Sequence, residues 1–391
     1  MSFAAFRAVV GRELAFLWAS PVEQALWIWS PLMAVALILW LFSAGLPEGL
    51  PISVLDQDHS ASSRELIRRL GATRSLRVGV LAESLPEALG QARSREAYAI
   101  VQIPQGWEAE RLRGGQKPVV LYNNAQYYLP AGLITAAVRD SVASLAGEQA
   151  VLREARFGGG LVAAGQRMGA VRAELRTLFD PQISYELYLG GMLTPILLHI
   201  YLVVMVVSAV GREFRDRTVE QWLASAKGCL LSALVGKCLP AVCLHLCVGG
   251  VLMGMLMGFT GGHVAGSLVL WLLAMAGFVL VSTALGVFLI SLTGNLRIGL
   301  SLAGLLVATA PAFSGFTFPL DAMSNGARHW GELMPLTYYL KLQQGQWMSG
   351  ASLQAWGQGI LRLAGFGMFF MLVGWIMLRR QIANPARWGR R

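Results

Sequence analysis

The sequence predicts an α-helical polytopic membrane protein of about six transmembrane helices, with a mixed α/β extracytoplasmic domain inserted after the first of them. Three observations carry that expectation. Of the 391 residues, 55% are hydrophobic and 14% charged, with a mean hydropathy of +0.54, against roughly 25% charged in soluble domains. Charge-free stretches long enough to cross hydrocarbon recur along the chain. The charge that remains is concentrated: residues 48–186 hold 16 of the 32 Lys and Arg and 15 of the 22 Asp and Glu, the balance of a water-facing domain. The net charge of +10 therefore belongs almost wholly to the apolar remainder, which carries 16 basic and 7 acidic residues and where basic residues report orientation rather than nucleic-acid binding.

Taken in order, residues 1–23 read as an interfacial amphipathic helix, with Phe3, Phe6, Val10, Leu14 and Leu17 as its apolar stripe and Arg12 and Glu13 on the other side. Residues 24–47 are the first span, too long for a signal-peptide core and without a small-residue cleavage site. The second is 187–211. Between Lys237 and Arg297 lie 59 residues without Asp, Glu, Lys or Arg, enough for two helices joined by the Gly-rich turn at 258–266. With a fifth at 298–318, residues 228–318 hold the third to fifth spans. The sixth is 357–378, where Arg362 is close enough to the outer end to snorkel. Counting Lys and Arg at the helix ends gives thirteen on the side of the termini, including those of the basic tail 379–391, and three on the other. Both termini are thereby expected in the cytoplasm and 48–186 outside.

Within 48–186, short β-rich runs at 51–56, Leu76–Leu81, 97–103 and 118–122 alternate with helical stretches. Ser62 with Glu65, and Ser84 with Glu87, have capping-box spacing, and Pro86 suits a first helical turn. From Ala131 to Phe179 the pattern is helical with a break at 158–160, which suggests two helices leading back to the membrane. This region contains no cysteine, so its stability does not depend on disulfides.

Candidate catalytic or metal chemistry is sparse. Cys229, Cys238, Cys243 and Cys247 cluster around the third span without a CxxC pair and read as small packing residues. His199 and His245 lie within spans, where a neutral imidazole bonded to a neighbouring helix is the simplest reading. Residues 231–238 hold Gly236 and Lys237 but lack the leading glycine and the closing Ser or Thr of a phosphate loop. The expectation is a non-enzyme that binds no cofactor or metal and draws energy from elsewhere.

The charged loop after the second span suggests from where. Arg212, Glu213, Thr218, Glu220, Gln221 and Trp222 lie in a helix-compatible stretch, 212–227. It resembles the coupling segment of ABC-2 type transporter permeases, which reads like Arg-Glu-x-x-x-Gly-Thr-x-Glu-Gln-Leu, with Arg217 where the family usually has Gly. Residues 319–356 suit short amphipathic helices dipping into the outer interface, with Trp330, Trp347 and Trp356 among Gly, Pro and polar residues. Gly315, Pro319, Pro335 and Tyr338 are similar to the family's external re-entrant segment. Val54 to Ser60, followed by Ser63 to Leu66, is similar to the subgroup with a large domain after the first helix, among which drug and small-molecule exporters are common.

That resemblance implies a bacterial inner-membrane, multi-pass permease subunit of an ATP-driven exporter. A separate ABC ATPase would carry ATP and Mg and drive the chain through the coupling helix and the N-terminal helix with Arg12 and Glu13. A second permease, identical or paralogous, would complete a dimer, a membrane-fusion protein is a further partner in that subgroup, and lipid surrounds the spans; no nucleic acid is implied. The alternative reading is a membrane-anchored sensor or assembly protein whose outer domain binds a ligand or partner.

Overall fold

The computed structural model describes residues 3–42, 47–113, 117–124, 128–156, 189–259 and 261–389. Among them, six helices are long and apolar enough to cross a membrane. The chain divides into two compact units, one formed by Met1–Ser43 with Leu178–Arg391 and the other by Ala44–Thr177. The expected helix break at 158–160, the start of the 187–211 span and the terminal Arg390 and Arg391 lie outside the described residues.

In the first unit, helix α1 (Phe3–Ala19) precedes a rod in which α2 (Pro21–Gln24) passes through a π-helical turn (Ala25–Trp29) into α3 (Ser30–Phe42). The rod begins earlier than the expected 24–47, because the Ser20 hydroxyl accepts the Glu23 N–H and Pro21 takes the first helical position.

The inserted unit runs β1 (Leu50–Asp56), α4 (Ala61–Ala72), β2 (Leu76–Leu81), α5 (Leu85–Arg93), β3 (Ala99–Ile103), α6 (Trp107–Leu112), β4 (Val120–Asn123) and α7 (Tyr128–Arg156). Strand order is β2-β1-β3-β4, with β1 parallel to both neighbours and β4 antiparallel to β3. The two central strands are buried on both faces, which is why they read as near-continuous apolar runs. Leu66 and Leu70 of α4, Trp107, and Ile134 and Val138 of α7 pack on Ile52, Val54, Val101 and Ile103, while Ala88 of α5 joins Ile100 in a smaller cluster. The capping box of α4 corrects the sequence reading: Ser60 and Ser63 close it reciprocally. Ser62 instead donates to Glu108, and Glu65 pairs with Arg69. Helix α7 continues unbroken through Arg156.

The first unit resumes with α8 (Gly191–Arg215), α9 (Val219–Ser225), α10 (Leu230–Phe259), α11 (Leu268–Thr293) and α12 (Leu296–Phe313). A 3-10 turn (Leu320–Ala322), α13 (Asn325–Glu332), α14 (Pro335–Gln344), a π-helical turn (Gly345–Ser349) and α15 (Leu353–Ile382) follow. Helix α11 is the centre, packed against α8, α10, α12, α14 and α15. Small residues let backbones approach, as lipid-embedded packing requires: a Cβ on Gly374 of α15 would lie 3.1 Å from Phe288 Cα. Side-chain caps, which hydropathy cannot register, move the spans' ends. Asn295 starts α12 at Leu296 rather than 298, and Ser352 starts α15 at Leu353 rather than 357. Trp347 is another correction: it is buried, stacked on Trp271 at 5.7 Å, and not an interfacial residue.

Candidate functional site

Charged residues from distant stretches of the sequence meet where α1, α8 and α10 pack together. Glu13 on α1 accepts from Arg212 Nη2 at 2.5 Å and from Lys237 Nζ at 2.8 Å. Glu213 accepts from Lys237 Nζ at 2.7 Å, from Arg12 Nη2 at 3.0 Å and from the Thr218 hydroxyl at 2.5 Å. Arg212 also reaches Glu23 at 3.5 Å and lies over the Phe16 ring, 3.7 Å from its centroid. Glu13, Arg212, Glu213 and Lys237 are all buried. Burying such groups is tolerable only when each charge is paired, and the three cations and three carboxylates here pair with one another, Arg12 leaving its buried Nη1 without a partner among the described residues.

This cluster also decides which face of α1 is buried. Of the expected stripe of Phe3, Phe6, Val10, Leu14 and Leu17, Leu17 is buried, Phe6 and Val10 are half-buried, Leu14 is 41% exposed, and the side chain of Phe3 lies outside what is described. The buried face runs instead through Ala5, Val9, Glu13 and Leu17 at four-residue spacing. Two features set that rotation: the ion partners of Glu13, and Gly236 on α10, where a Cβ would lie 2.9 Å from Val9 Cβ.

The stretch 212–227 is not one helix. Helix α8 extends through Arg212 and Glu213 to Arg215, the chain turns at Asp216 and Arg217, and α9 begins at Val219 with Thr218 as its cap residue. Arg217 has φ of 56°, the left-handed region that favours glycine, at the very position where the coupling motif usually has Gly. The turn is held by Thr218 N–H donating to Glu213 O and Gly389 N–H donating to Phe214 O. Arg215 hydrogen-bonds Asp216 and holds its carboxyl below the usual carboxylate range. Glu213 and Glu220 therefore do not share a helical face. Trp222 is fully buried, with its indole N–H on Ala233 O at 3.1 Å, so it anchors α9 to α10 from within. Glu220 and Gln221 are exposed.

The re-entrant candidates lie elsewhere. Gly315 turns the chain after α12 with φ of 80°, Pro319 caps the 3-10 turn, and Pro335 opens α14. The Tyr338 hydroxyl donates to Glu332 O at 2.8 Å. This region meets the opposite end of α8, where Gln343 donates to Gly191 O at 2.5 Å and Trp347 fills the space beside Gly191. Gly191 and Arg212 are separated by a helix length of roughly 30 Å. Lys237 and Glu23 are the cluster members that sequence reasoning did not assign as site residues. For Lys237 the signal was present, a lone lysine opening a charge-free run of apolar sequence. Among the described residues no group of three His, Cys, Asp or Glu is placed to hold a metal ion.

The model of the ABC-2 family transporter proteins matches residues 25–376. The chain belongs to that family. It is thus a multi-pass transmembrane permease of an ABC transporter, a kind of membrane subunit that has no ATPase of its own and partners an ABC ATPase subunit. A search of curated proteins gives no match.

Proposed function

We propose that this ABC-2 permease works in a bacterial inner membrane as half of a dimeric exporter, with a homodimeric or paralogous partner. In this reading both termini and α9 lie in the cytoplasm, the α/β unit lies outside, and a membrane-fusion protein is a partner of that unit. ATP and Mg belong to the ATPase docked beneath α1 and α9. The observation that carries the reading is the buried charge cluster. It ties α1, the foot of α8 and α10 into one body, so that displacement of α9 by the ATPase is carried into two membrane helices rather than absorbed by a loose loop. Rigid-body movement of packed helices is an established way of converting such a push into alternating access.

The exposed Glu220 and Gln221 are the side chains through which α9 would meet the ATPase, and Trp222 keeps the helix seated. The test is co-purification of the ATPase with wild-type and Glu220→Arg chains at matched membrane levels, with transport measured alongside. Loss of both with the fold intact supports the coupling role; equal recovery and equal transport refute it.

A further inference from the structure

We infer that a cavity among α8, α11, α12, α15 and the α13–α14 junction binds a small apolar molecule carrying one hydrogen-bond donor, a hydroxyl or an N–H. The cavity holds about 330 Å³. Its walls include Phe288, Val307, Met334, Phe366 and Phe370, and its one ionisable lining residue is His199. That histidine is 2% exposed.

The hydrogen bonds around His199 suit one tautomer of its ring. Ser282 donates its single proton to Phe278 O at 2.7 Å, so its oxygen can only accept from the ring nitrogen that lies 2.8 Å away, Nδ1. In the tautomer that suits this arrangement Nδ1 carries the proton and Nε2 is left with a lone pair. Nε2 makes no hydrogen bond among the described residues, although the ring lines the cavity. An acceptor that faces an apolar-walled cavity without a partner is costly, and a ligand that donates to it removes that cost. An acyl chain fills the same space without doing so. The site discriminates through that one bond, since a place built to pair a polar group rejects an analogue lacking it.

This inference names a ligand class for the permease and so rests on that reading, but it needs no ATPase for its test. The full chain in lipid nanodiscs is titrated with labelled 1-naphthol and with its methyl ether, which has the same ring system and no donor, and binding to empty nanodiscs is subtracted. Wild type is expected to favour the naphthol by roughly three- to tenfold, the range for one net hydrogen bond. His199→Phe should make the two probes equal, His199→Gln should restore a preference through its amide oxygen, and Val307→Trp should weaken both by occupying the cavity. If His199→Phe does not fold, Ser282→Ala serves instead: it releases the tautomer and should shrink the preference. No saturable binding, equal affinities in wild type as for a lipid-tail site, or a preference that survives His199→Phe overturns the inference. Glu220→Arg should leave these affinities unchanged, so failure of the coupling reading and failure of this one are separable.

Discussion

The Lys237 ammonium lies 2.7 Å from the Glu213 carboxylate, joining α10 to the foot of α8 where both side chains are buried. Replacing Lys237 with Met takes away the cation that Glu213 and Glu13 share, leaving each with one arginine. Removing one partner of a buried pair costs about 3–5 kcal/mol. Thermal unfolding of the purified protein should show Lys237→Met strongly destabilised. The double variant with Glu213→Gln should lose less than the sum of the two single losses; additive losses would show that the pair is not coupled.

Trp222→Ala and Glu220→Arg should separate stability from docking. The first empties a fully buried site and leaves Ala233 O without its indole donor, a loss of about 3–5 kcal/mol. Glu220 is exposed, so its reversal should change the melting temperature little while lowering ATPase recovery. Melting curves and pull-downs on the same preparations check both, and a large melting shift for Glu220→Arg would contradict the assignment.

Acid should loosen the α/β unit from a defined place. The Arg69 guanidinium hydrogen-bonds Glu148 and holds its carboxyl below the ordinary value, linking α4 to α7. For Asp58, burial raises the carboxyl, and hydrogen bonds from Ser60 and the backbone at 106–108 outweigh it, so the net shift is also downward. A depressed carboxylate contributes stability above its unfolded value, about 3.9 for Asp and 4.3 for Glu, and that contribution is lost as pH falls through the folded value. Amide exchange in α4 and α7 of the full chain should accelerate as pH falls below about 4 relative to the intrinsic rate. Arg69→Met should flatten the part of that dependence due to Glu148; an unchanged profile would remove the link.

Gly331 should resist even alanine. A Cβ there would lie on Phe313 O, the backbone at the end of α12, and the Gly331 carbonyl accepts the Thr337 hydroxyl at 2.7 Å. Gly331→Ala is expected to cost about 1–3 kcal/mol, as over-packing does, whereas Gly326→Ala in the same helix, with open space around it, should be neutral. Parallel melts of the two variants decide.

Orientation can be read by labelling in intact cells. In a background with the four cysteines replaced, Glu87→Cys in the α/β unit should react with an impermeant maleimide, and Arg217→Cys only after permeabilisation. The reverse pattern would invert the topology.

The strands of the α/β unit were legible because β-branched runs bounded by turn residues specify them locally; Leu76–Leu81 needed no adjustment. The spans were legible as apolar runs, but their ends were not, since Ser20, Asn295 and Ser352 act through hydrogen bonds that hydropathy does not register. Arg217 hid the break between α8 and α9, because a non-glycine residue gives no hint of a left-handed turn. The charge cluster was the least visible feature. Arg12 and Glu213 are 201 residues apart and Lys237 and Glu13 are 224 apart, so nothing local showed that the residues read as contacts for an ATPase pair with one another.

The balance of that cluster bears on what can move it. With Arg12, Arg212 and Lys237 set against Glu13, Glu23 and Glu213, the six ionised groups sum to zero. A single charge crossing the membrane potential exchanges about 2.3 kcal/mol per 100 mV. A neutral body displaced as a whole exchanges almost none. The net charge of the cluster itself therefore gives a membrane potential almost nothing to act on.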